Sequence, residues 1–86
     1  MKRVEFNHLM DQQLLSLDRH DRTPYNANEA AVALATELRH VKRTLSRWEK
    51  INAPTLLKLE LARVAAVAWR AARDLLLVAE NKRRKK

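Results

Sequence analysis

The chain has 86 residues, 47% hydrophobic and 33% charged, with 18 lysines and arginines against 10 acids for a formal net charge of +8. That length suits one domain with a thin core, and the apolar share argues against disorder throughout. Cysteine and glycine are absent, which excludes disulfides, thiolate metal sites, cysteine nucleophiles and Gly-rich phosphate loops.

The first predicted helix covers about residues 4–17, where Phe6, Leu9, Met10, Leu14 and Leu17 share one side. Residues 18–26 are polar, lack a period and contain Pro24, so they read as a loop. In that loop His20 lies between Asp18 and Asp21, the best arrangement for a metal in the chain. Arg19 and Arg22 beside it oppose a cation, and no two of His8, His20 and His40 are four residues apart. Neither a metal nor a cofactor is expected.

Asn26 followed by Glu29 resembles a capping box and starts the second helix at about Ala27. This helix should run to about Ile51, with Ala27, Ala31, Leu34, Leu38, Val41, Leu45 and Trp48 as a heptad-like stripe. Asn52 or Ala53 caps the third helix, Pro54 suits its first turn, and nothing breaks it before about Asn81. Its matching stripe is Leu57, Leu61, Val64, Ala68, Ala71, Leu75 and Val78.

The fold class expected is therefore all-α. A long antiparallel helical hairpin closes on the two stripes, with a short N-terminal helix packed on it as a three-helix bundle. Residues 1–81 form the domain and residues 82–86 a basic C-terminal tail. The short helix should cover the end where the third helix finishes, on Ala65, Trp69, Ala72, Leu76 and Ala79, and leave Lys58 in solvent near the turn. Leu56, Leu59, Ala62 and Ala66, extended by Val67, would then form an exposed patch for self-association as a dimer or for a partner. Trp48 and Trp69 are expected in the core, and Tyr25 on the surface.

Enzymatic chemistry finds no support. Ser16 and Ser46 have no base beside them, and Glu29, Glu37, Glu49 and Glu60 lie on mostly different helical faces. Met1 to Leu9 has no apolar run, and Leu61 to Ala79 is interrupted by charges, so the reading is cytoplasmic, with no membrane partner.

A sharper signal lies opposite the stripe of the second helix. Arg39, His40, Arg43, Arg47 and Lys50 recur at steps of one, three and four, with Lys42 on the flank. Like charges four residues apart repel, so an uncompensated ladder invites phosphates or carboxylates. The third helix instead spaces Glu60 with Arg63 and Arg70 with Asp74 as stabilising pairs, which read as an ordinary solvated face. The tail residues Lys82, Arg83 and Arg84, with Lys85 and Lys86, make a second basic block.

The leading expectation is a non-enzymatic protein that contacts nucleic acid mainly through phosphates. No short recognition helix follows a tight turn, so base readout is not expected. The rival is a protein-interaction module, an inhibitor or assembly factor of the kind small mobile-element proteins often are, docking the same basic face on an acidic partner surface.

Overall fold

Helices account for nearly all of the backbone in the computed structural model of the chain, which describes residues 1–20 and 23–84, and side chains within these except Ile51 and residues 77–84. In chain order they are α1 Arg3–His20, α2 Ala27–Ser46, α3 Trp48–Ile51 and α4 Pro54–Arg84. The basic tail begins as helix, since α4 runs to Arg84. Lys85 and Lys86, the loop residues Asp21 and Arg22, and the side chains of Val78, Ala79, Lys82, Arg83 and Arg84 lie outside what is described.

Local chemistry explains each boundary. The Asn26 side chain accepts a hydrogen bond from the Glu29 N–H at 2.8 Å, satisfying one donor at the open start of α2. The second helix does not reach Ile51 unbroken: it ends at Ser46, whose hydroxyl donates to the Arg43 carbonyl at 2.9 Å. An uninterrupted helix would give that carbonyl to the Arg47 N–H; here Arg47 turns back to Thr44 O at 3.2 Å and sits at φ −108°, ψ 10°. A single turn, α3, follows. Asn52 ends it in the left-handed region at φ 36°, ψ 69°, the task glycine performs in most chains. Ala53 then offers its carbonyl to the Leu57 N–H, and Pro54 takes the first position of α4.

The packing departs from the expected hairpin seam. Both α1 and α2 lie along α4, and among the described residues the backbones of α1 and α2 do not come together. Contacts from α1 climb α4 in the same direction: Glu5 meets Lys58, Gln13 meets Arg63, and Asp18 meets Arg73. Contacts from the loop before α2 and from α2 itself descend it: Tyr25 meets Asp74, Glu37 meets Arg63, and Thr44 meets Glu60. The first helix therefore covers α4 from Lys58 to Arg73 rather than its far end. Lys58 keeps part of its side chain in solvent there, 30% exposed, while its ammonium pairs with Glu5 at 3.0 Å and holds that carboxyl below its ordinary value.

The apolar core is small. Leu17, Ala66 and Val67 are buried together, with Met10, Leu14, Tyr25, Ala33 and Leu34 packed against them. Ala62 and Ala66 are wholly buried, small enough to let α4 sit close to its neighbours. They cannot serve the contact patch expected of them, nor can Val67; Leu56 and Leu59 alone stay exposed. Of the expected stripe of the second helix, Val41 is buried and Leu34 and Trp48 half-buried, while Ala27, Ala31, Leu38 and Leu45 are exposed; Ala30, outside the stripe, is buried instead. On α4, Ala71 is buried and Leu57 and Val64 half-buried, but Leu61, Ala68 and Leu75 are exposed. Each helix has turned so that polar residues share the contact, with Glu37 and Thr44 from α2 meeting Arg63 and Glu60 from α4.

Trp69 and Leu76, expected under the first helix, are 56% and 61% exposed. The outer side of α4 is consequently apolar: Leu61, Ala65, Ala68, Trp69, Ala72, Leu75 and Leu76 follow it without a charge.

Candidate functional site

Helix α4 turns its charges inward. Arg70 is 2% exposed and donates to the carbonyls of Leu17 at 3.1 Å and Thr23 at 2.9 Å. Its guanidinium carbon lies 4.1 Å from the centre of the Tyr25 ring, and its Nε lies 3.6–3.7 Å from Asp74 and Asp18. Leu17 is in the last turn of α1, whose carbonyls have no helical partner, so Arg70 closes that helix end and the loop after it. Arg73 grips Asp18 with two parallel hydrogen bonds of 3.0 and 3.2 Å and reaches Asp74 at 3.2 Å. Asp74 in turn accepts the Tyr25 N–H at 3.0 Å. The bond from Arg73 holds the Asp18 carboxyl below its ordinary value against the opposing effect of desolvation. The Arg73 guanidinium is raised correspondingly by Asp18.

Arg70 and Asp74 are thus not a solvated pair, and Tyr25 is a half-buried platform rather than a free aromatic. This cluster is complete within the chain, so its place is structural. Helical spacing brings Arg70 and Asp74 together on any helix; the side that faces inward depends on α1 and the loop, which lie far away in sequence.

The basic ladder has the opposite character. Arg39, Lys42, Arg43, Arg47 and Lys50 are exposed, and among the described residues none of them forms an ion pair. His40 lies beside Glu37, whose Oε2 is 3.6 Å from its Nδ1, whereas no acid pairs with the arginines and lysines of the ladder among the described residues. Because α2 ends at Ser46, Arg39 and Arg43 lie on α2, Arg47 at the junction and Lys50 on α3. The exposed cations Arg3 and Arg19 lie on α1, apart from this run.

Two surface concavities bear on the ladder. Arg43, Thr44, Arg47, Ala53 and Leu56 line a pocket of about 130 Å³ between the end of α2 and the start of α4. A shallower hollow of about 430 Å³ places Glu49 beside Arg47 and Lys50. Leu56 therefore belongs to the edge of the basic surface. The expected binding residues Lys82, Arg83 and Arg84 continue α4, which passes Tyr25 at Asp74 and leads away from the turn that carries Lys50.

No group of three histidine, aspartate or glutamate residues could hold a metal ion among the described residues. None of the described helices is long and apolar enough to cross a membrane. Searches of protein-family models, curated proteins and solved structures find no match to this chain.

Proposed function

We propose that this chain is a non-enzymatic binding protein that holds nucleic acid mainly through its phosphates, using Arg39, Arg43, Arg47 and Lys50, with the basic tail adding affinity. The observation that carries this reading is the division of the cations. Lys58, Arg63, Arg70 and Arg73 are each engaged by a carboxylate inside the chain, whereas the ladder cations are exposed and without one among the described residues. Guanidinium groups in that state are ready to exchange bound counterions for phosphates. With no short recognition helix, contacts of this kind grip any sequence alike.

A second reading rests on the pocket beside Arg43 and Arg47. At about 130 Å³ it is smaller than the usual site for a nucleotide-sized ligand, and its Ala53 and Leu56 walls suit a single side chain of an acidic partner protein. Fluorescence anisotropy with duplexes of unrelated sequence, titrated over a range of salt, separates the two. Similar affinity for every duplex, falling steeply with salt and lost in Arg43→Glu with Arg47→Glu, is the result expected. Absence of binding to DNA and RNA at low salt rejects the first reading. Capture of an acidic protein from nuclease-treated lysate, abolished by the same pair of changes, establishes the second.

A further inference from the structure

Several of the apolar residues of α2 and α4 left outside the chain's own packing gather along one face. Leu38 and Leu45 of α2 are 46% and 52% exposed, and Leu61 and Leu75 of α4 are 39% and 37% exposed. On α4 the exposed series Leu61, Ala68 and Leu75 repeats every seven residues, and Leu38 and Leu45 keep the same interval on α2. The two series lie on one side of the molecule. Glu37 of α2 reaches Arg63, which also binds Gln13 of α1, so that edge of the contact faces α1. Leu38 and Leu45 are on the other edge of α2, where α4 presents Leu61, Ala68 and Leu75 away from α1.

We propose that this face joins two copies of the chain, α2 and α4 of each closing on those of the other as a four-helix arrangement. Heptad spacing on both helices is what interlocking of equivalent stripes needs. Together with Trp69 and Leu76 at its margin, the face exposes roughly 600 Å² of apolar surface, at the upper limit for a monomer and near the ~800 Å² each partner gives to a stable dimer. A second copy suits it better than an acidic partner because Lys42, between Leu38 and Leu45 at its outer edge, is the one cation these described stripes bring to the face, and a twofold interface must complement itself. The ladder of Arg39 and Arg43 lies on a different side of α2, so pairing does not bring the two basic surfaces together.

Sedimentation velocity at about 50 μM, a concentration that fills an interface of micromolar Kd, should show the parent as a dimer. Leu61→Glu with Leu75→Glu should raise the dimer Kd at least about 100-fold, because carboxylates would be buried unpaired at the centre of the contact. Circular dichroism should show its helix content retained. Leu15→Glu, at a 60% exposed position on α1, should leave the dimer intact. The chain has no native cysteine, so a single Ala68→Cys should be coupled to its equivalent by a short bis-maleimide, and a single Leu15→Cys should not. This second measurement decides the matter should the glutamate variant lose its helices. A monomeric parent, a dimer that survives Leu61→Glu with Leu75→Glu, or equal coupling at positions 68 and 15 overturns the proposal.

Discussion

Arg70 is the residue on which most of the tertiary order converges, since one guanidinium meets a helix end, a loop carbonyl, an aromatic ring and two carboxylates. Removing one member of a buried charge cluster leaves the others desolvated without it, so Arg70→Ala should cost about 3 kcal/mol in urea unfolding. Arg70→Lys should recover less than half of that, because an ammonium cannot span both carbonyls while lying flat on Tyr25. Asp18 sets a pH dependence. Its carboxyl is held below the ordinary value by Arg73, so the stability it adds is complete above the unfolded value near 4 and is lost as pH falls through the lowered one. Thermal melts from pH 6 to pH 2 should show a steep acid limb in the parent and a flatter one in Asp18→Asn.

At the scale of the elements, exposure revises what the heptads imply. Leu38→Ala and Leu61→Ala would cost roughly 2–5 kcal/mol as core truncations. At 46% and 39% exposed in the single chain, each should cost only about 1 kcal/mol when melted at concentrations too low for pairing. Ala66 is the contrasting position: fully buried against Leu17, it should lose about 1–3 kcal/mol on enlargement to Leu in the same melts. The end of α3 tests the backbone. Asn52 holds a positive φ, so Asn52→Ala should lower stability by about 1 kcal/mol while Asn52→Gly does not. The Asn26 cap and the Pro54 start were legible because caps and proline act on their nearest neighbours. The break at Arg47 was not: Ser46 bonds the Arg43 carbonyl just before it, but Thr36 bonds the Val32 carbonyl in a similar way and leaves α2 intact.

For the whole molecule, Arg39 and Arg43 and the apolar face occupy different sides of α2, so the proposed binding of a polyanion and the proposed pairing of two copies would not compete. Arg43→Glu with Arg47→Glu should abolish duplex binding at moderate salt and leave the unfolding midpoint unchanged or slightly higher, since like-charge crowding is relieved. Deleting residues 82–86 should weaken binding and lower the salt slope by up to about 0.9 for each phosphate the tail contacts, without changing the order of affinities among duplexes. Sequence by itself determined the all-helical character, the starts of α1, α2 and α4 and the exposed ladder of Arg39 and Arg43, because each follows from spacing within a few residues. Only the tertiary structure decided which side of α4 faces inward. That helix is apolar around most of its circumference, so hydrophobic period alone ranks its sides poorly. The choice fell to contacts remote in sequence: Lys58 with Glu5, Arg63 with Gln13 and Glu37, and Arg70 and Arg73 with Asp18. Those pairs turn the charged side of α4 toward α1 and α2, the close-packed alanines Ala62 and Ala66 accompany it, and the leucines of the heptad are left facing out.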